Sequence, residues 1–242
     1  MVAASDRGGD VGRSVSTQYQ QIGGLTASNL SYGKLKTLFR YLCLMSFSFD
    51  RRDCWIFDMD GTLTLSIHDF DGIKRILGIP LDQPILEALN NLPTAQAAEL
   101  HQQLDTLELD IAHRATAQTG ARELLTKLRS RGAQIAILTR NSKPNAQVTL
   151  AACGLAEFFP AELILSRHCC PPKPSPEGIL QLLSGWNALP DRSVMVGDYL
   201  FDLEAGRRAG SATVYLDPTG AFPWQDHADL PITNLAELTA IL

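Results

Sequence analysis

Apolar residues in this chain fall into two kinds of run. Short, near-continuous stretches stand at 54–58 (CWIFD), 134–139 (QIAILT), 162–166 (ELILS), 193–198 (SVMVGD) and 212–216 (ATVYL). They do not alternate between apolar and polar, so each reads as a strand covered on both faces. Between them, at 119–132, 143–154, 175–186 and 199–210, apolar positions recur every three or four residues, the spacing of a helix with one buried stripe. Gly132, Gly154 and Gly210 stand where three of these helices should stop, and Ser175 with Pro176 where one should start. Strand and helix in regular alternation predict an α/β fold, a Rossmann-like parallel sheet core with helices on both faces.

Two stretches depart from this rhythm. From Leu65 to Gln118 there is helical patterning without a convincing strand, in FDGIKRILG, PILEALNNL and AQAAELHQQLDTLELDIAHRATAQ. This predicts a small helical cap inserted after the first strand. It leaves and rejoins the sheet at the carboxyl ends of the strands, where open α/β folds bind ligands. The first fifty residues are rich in Ser, Gly, Thr and Gln, with no sustained apolar period, and read as a flexible tail. A targeting segment is disfavoured by Asp6, Asp10 and the want of an apolar stretch with a cleavage site. Met45 stands so close to the folded pattern that it is an alternative biological start; peptides from residues 1–44 in natively expressed protein would refute that. The expected organisation is a tail over 1–52, a catalytic core over 53–66 and 119–242, and a cap over 67–118.

Composition narrows the possible partners. A net charge of −5 over 242 residues gives no reason to expect nucleic acid. No apolar run approaches the roughly 20 residues that span a bilayer, so no membrane is expected either. Cys43, Cys54, Cys153, Cys169 and Cys170 lack the spacing of a disulfide framework, which suits a reducing, cytoplasmic setting. His168, Cys169 and Cys170 are adjacent but have no second ligand pair, a poor zinc pattern.

The candidate chemistry sits at the strand ends. The first strand runs into Asp58, Asp60 and Thr62, the second ends at Thr139, the fourth delivers Asp198, and Lys173 lies in the loop after the third. A parallel sheet gathers these ends at one edge. Carboxylates that can hold Mg²⁺, with a lysine and a hydroxyl for phosphate oxygens, form a set suited to phosphoryl transfer. Taken singly, Asp198 could be a helix cap, Asp202 a first-turn acid and Lys173 a solvated loop residue. Asp58 resists such a reading, because an acid at the centre of a sheet is costly to bury without a compensating cation.

DMDGTLT, ILTRN, the Lys173 loop and VGDYLFD, in that order, resemble the motifs of the haloacid dehalogenase-like hydrolase superfamily, in the branch with a helical cap and similar to phosphoglycolate phosphatase. The resemblance spans the chain from about Asp53 to the C-terminus, and its first motif is the most specific. It implies that Asp58 is a nucleophile forming an aspartyl-phosphate and that Asp60 is the general acid and base, with Thr62 orienting Asp60. It implies Mg²⁺ held by Asp58, the Asp60 carbonyl, Asp198 and Asp202, and phosphoryl oxygens bound by Thr139 and Lys173. Arg140 and Asn141 would touch phosphate or the rest of a small phosphorylated metabolite. The cap residues His68, Asp69, Lys74, Arg75, His101, His113 and Arg114 are candidate substrate contacts, while Trp186 and Trp224 read as packing. The presence of Asp60 disfavours a dehalogenase or a phosphonate-cleaving enzyme. A sugar-phosphate mutase and a non-catalytic phosphate-ligand binding protein are the competing functions. Oligomeric state is not legible.

Overall fold

The computed structural model describes residues 49 and 51–242. The readings of 1–48 as a tail, a targeting segment or a segment before a later start lie outside the described residues. The tail boundary at 52 is too late, however. Phe49 is buried against Trp55, with ring centroids 5.0 Å apart. Arg52 donates to the carbonyls of Asp191 at 2.8 Å and Ser193 at 3.0 Å. These residues already belong to the fold.

Six parallel strands form the core: β1 (Cys54–Phe57), β2 (Gln134–Leu138), β3 (Ile164–Leu165), β4 (Ser193–Gly197), β5 (Ala212–Leu216) and β6 (Leu230–Ile232). Their order across the sheet is β3-β2-β1-β4-β5-β6. The first strand is thus central, with Phe57 opposite Ile137 of β2 and Val196 of β4. Successive side chains of these strands feed opposite faces. Trp55, Phe57, Ile135, Ile137, Val194 and Val196 pack on one side, with α4 (Ala121–Ser130), α5 (Lys143–Ala152) and α8 (Leu235–Ile241). Cys54, Ile56, Ala136, Leu138 and Met195 pack on the other, with α6 (Glu177–Gly185) and α7 (Leu200–Ala209). Each large side chain so enclosed stabilises the fold by about 1.5–3 kcal/mol. That is why near-continuous apolar runs hold here.

The inserted cap is three helices, α1 (Phe70–Leu77), α2 (Ile85–Asn90) and α3 (Thr94–Ala112). They close over their own apolar cluster of Ile73, Leu77, Leu86, Leu89, Leu104 and Ile111. The outgoing and returning connections hydrogen-bond to each other, Leu65 N–H to the Thr116 carbonyl at 2.9 Å and Gln118 N–H to the Leu63 carbonyl at 2.8 Å. The cap therefore springs from a paired stem beside the carboxyl end of β1.

Some elements differ from the sequence expectation. The third strand is only two residues long, because Ala161–Leu163 forms a 3-10 turn in its place. The helix expected from Ser175 starts at Glu177, whose N–H still reaches the Ser175 hydroxyl at 3.4 Å. Strand β6 and helix α8 were not anticipated. Trp224 packs edge-on against Tyr199 and beside Tyr215, and Trp186 lies against the second core cluster, both as packing residues. Among the described residues no helix is long and apolar enough to cross a membrane.

Candidate active site

The carboxyl ends of β1, β2 and β4, the loop after β3 and the inner surface of the cap enclose a cavity of about 470 Å³. Asp58, Asp60, Thr139, Asn141, Lys173 and Asp198 line its floor. Asp58 is fixed by its own backbone, whose N–H continues the ladder to Val196 at 2.9 Å. Gly61, at φ +88°, then turns the chain, and it is needed twice over: a Cβ there would also collide with the Asp198 carboxylate. The lack of a side chain at Gly197 serves Asp202 in the same way.

Lys173 is the hub. Its side chain is 2% exposed, and Nζ lies 2.6 Å from Asp58 Oδ1 and 2.7 Å from Asp202 Oδ1. Burial alone would lower its pKa, but Asp202 and Asp58 outweigh burial and raise it. The other Asp202 oxygen accepts the Tyr199 N–H at 3.0 Å, so this carboxylate holds the lysine from behind. Asp58, Asp198 and Asp202 present ligand atoms within 4.8 Å of one another. Among the described residues no comparable cluster includes His168, Cys169 or Cys170; Cys169 Sγ instead lies 3.3 Å from the Ser166 hydroxyl.

The electrostatics favour a cation. Asp198 is pushed well up by burial, then by Asp58 and Asp202. Asp202 is raised by burial against the opposing pull of Lys173. Asp60 is pushed up to about 7, by burial first and Asp58 second. Four acids share this floor with one lysine, and an excess of buried negative charge with oxygen donors this close fits a hard divalent ion.

Thr62 is oriented otherwise than the resemblance implied. It is fully buried, outside the cavity lining, and donates its hydroxyl to Asp198 Oδ1 at 2.9 Å, steadying Asp198 where Asp60 was expected. Asp60 is met instead by Asn141, whose Nδ2 donates to Oδ2 at 3.3 Å, and by His68, whose Nε2 is 4.0 Å from Oδ1. Thr139 lines the floor, its Oγ1 accepting the Asn141 N–H at 3.0 Å. Arg140 turns toward the cap, where its guanidinium meets both oxygens of Glu87 at 3.0 and 2.6 Å. It also donates to the Lys173 carbonyl and lies 4.7 Å from the Phe201 ring centre.

Of the cap candidates, His68 and Lys74 line the cavity. Asp69 caps α1 by accepting the Gly72 N–H at 2.8 Å. Arg75, His113 and Arg114 are exposed and outside the lining, and His101 faces His168 with ring centres 6.3 Å apart. Sequence reading missed the second tie to the cap, Arg167. This buried guanidinium pairs with Glu108 at 2.8 Å and with Asp105, both on α3. It also missed the cavity's apolar wall, to which Phe70, Leu81, Ile85 and Phe201 contribute. Only the helical spacing of the cap leucines hinted at the latter.

Comparison with known proteins agrees with this architecture. The family model described as haloacid dehalogenase-like hydrolase matches residues 55–216. An uncharacterised hydrolase of Saccharomyces cerevisiae is 29% identical over 191 residues, 77% of this chain and 88% of its own length. A phosphoglycolate phosphatase of Nitrosococcus oceani is 26% identical over 186 residues, 66% of this chain and 82% of its own. A solved structure of a predicted phosphoglycolate phosphatase from Haemophilus somnus superposes with a TM-score of 0.63 at 20% identity, covering 80% of this chain and 99% of that one. With the family match running from β1 through β5 and so across the strand ends that carry the acids, the chain belongs to the haloacid dehalogenase-like hydrolases and is an enzyme of that family.

Proposed function

We propose that this enzyme is a Mg²⁺-dependent phosphatase that hydrolyses small phosphomonoesters through an aspartyl-phosphate on Asp58. The observation that carries the reading is Lys173, buried and bonded at once to Asp58 and Asp202 in a cleft that also holds Asp60, Asp198 and Thr139. A binding module has no use for a carboxylate so placed. The likeness to a phosphoglycolate phosphatase supports the same chemistry.

Mg²⁺ would be held by the Asp58 carboxylate, the Asp60 carbonyl and Asp198, with Asp202 behind through Lys173; it would supply positive charge between nucleophile and phosphate. The rest follows from side chains. Lys173, Thr139 and their neighbours bind the phosphoryl oxygens. An Asp58 oxygen bonds to phosphorus as the ester P–O bond breaks, and the Asp60 proton passes to the departing alkoxide. Water then attacks the same phosphorus and gives a proton to Asp60. The Asp58–phosphate bond breaks, releasing inorganic phosphate. A carboxyl with a pKa of about 7 can serve both half-reactions near neutrality. The cap limits substrates to those that fit beneath it and keeps bulk water away.

The test is phosphate release from a panel of small phosphomonoesters with Mg²⁺. Turnover should need the metal and stop with EDTA, and isomerised product should be absent. Activity indifferent to EDTA refutes the metal, and isomerisation in place of release makes the enzyme a mutase. A second prediction concerns Asp60. Asp60→Asn should slow the phosphorylation step by about 10²–10⁴-fold for alkyl esters. It should slow that step far less for p-nitrophenyl phosphate, whose leaving group needs little protonation. In the wild type the alkyl-ester rate should fall as pH rises through about 7, because the acid then loses its proton. Equal defects on both esters in single-turnover measurements would remove Asp60 from the acid role.

A further inference from the structure

The half of the cavity that faces the cap has a different character from the floor. Its surface is built largely from Phe70, Leu81, Ile85, Leu86, Leu104 and Phe201. Most of the charged groups there already have partners. Arg140 spends its fork on both oxygens of Glu87 and its flat face on Phe201. Lys74 donates to the Leu81 carbonyl at 2.7 Å at the exposed rim. Glu108 is paired with Arg167, and Asp82 adds further negative charge to the lining. His68 is enclosed and stacked on Phe70 with ring centres 5.2 Å apart.

A second anion on the substrate would therefore find no free guanidinium to replace its lost hydration, and the acids around it would repel it. We propose that Glu87 sets the charge selectivity of this enzyme. By occupying Arg140 it closes the cavity to esters with a negatively charged leaving group and favours phosphomonoesters of uncharged, partly apolar alcohols. This deepens the phosphatase reading and rests on it for turnover, while the selectivity itself is a property of binding. Glu87 acts through Arg140, as a positioning residue of the cap.

Two esters with leaving groups of matched shape test it: 3-methylbutyl phosphate and the phosphate ester of 3-hydroxypropionate, which differ by one carboxylate. With Mg²⁺ the wild type should favour the uncharged ester at least tenfold in kcat/KM. Glu87→Gln keeps a hydrogen-bonding partner for Arg140 but removes the charge, and it should shift that ratio at least tenfold toward the carboxylate ester. An Arg140→Met, Glu87→Gln double variant should lose the shift, because the guanidinium released by the first change is gone. Calorimetric binding of the same esters to Asp58→Asn reads the selectivity without turnover. Tighter binding of the uncharged ester with no phosphate released by the wild type from any panel member would refute hydrolysis and leave the selectivity standing. Equal binding of the two esters, binding of neither, or an unchanged ratio in a folded Glu87→Gln would overturn the proposal.

Discussion

Asp58→Asn is expected to lower phosphate release at least 10³-fold while the protein stays folded, because an amide oxygen cannot form the bond to phosphorus that a carboxylate forms. The fold should survive because Lys173 keeps its second partner, Asp202, at 2.7 Å, and because an amide of the same shape can still lie beside the ammonium. The variant also carries a signature that a damaged structure would not produce. Asp58 is the second cause, after burial, of the raised pKa of Asp60, so removing its charge should bring Asp60 down from about 7. Asp198, raised by the same neighbour, should follow. Affinity for Mg²⁺ should fall together with the count of negative ligands. The measurements are single-turnover kinetics, a carboxyl titration followed by NMR, and metal titration by calorimetry. Near-normal turnover in Asp58→Asn would end the covalent reading. Lost turnover with Asp60 still titrating near 7 would mean that Asp58 acts without the electrostatic coupling described here.

How far this site was visible beforehand depended on whether its cause was local. Asp58 was legible because a run as apolar as CWIF can occupy only the middle of a sheet, and an acid following it demands compensation. Asp60, Thr139, Lys173 and Asp198 were legible through one further step, that a parallel sheet brings its carboxyl ends to one edge. Arg140 and Arg167 were different. Their partners Glu87, Asp105 and Glu108 lie on cap helices 53 to 62 positions away in the chain, and no local period or spacing pairs them. Thr62 was assigned to Asp60 by resemblance alone, and no local pattern says which acid its hydroxyl meets after the turn at Gly61. At φ +88° that residue turns the chain, and the hydroxyl meets Asp198. In the fold, β6 was missed for a related reason. Leu230, Pro231 and Ile232 are too few to show a period, and proline argues against a strand unless it lies at an edge, which is where this one sits. Its partner β5 was legible in the sequence, but the pairing depends on tertiary structure.

Lys173→Met should be the most damaging single change to stability, by about 3–5 kcal/mol near neutral pH, together with loss of activity. The side chain is 2% exposed and its ammonium touches two carboxylates, with Asp60 and Asp198 also feeling its charge. Methionine fills much the same volume, so the loss is one of charge and not of packing. Its pH dependence follows from the direction of the carboxyl shifts. Asp60, Asp198 and Asp202 already have folded-state pKa values above the ordinary range, and without the lysine they rise further. A carboxyl raised on folding leaves the native state fully stable below the unfolded value of about 4 and costs stability as pH rises toward the folded value. The gap between variant and wild type should therefore be smallest in acid, open as pH passes the wild-type values of about 6 and about 7, and level off only above the variant's higher ones. Mg²⁺ should narrow the gap, because a bound divalent ion neutralises the same carboxylates. Urea unfolding at several pH values, with and without Mg²⁺, decides the matter. A gap that ignores both pH and metal would mean that Lys173 stabilises by packing alone, and the floor would lose its claim to be an electrostatic unit held ready for a cation and a phosphate.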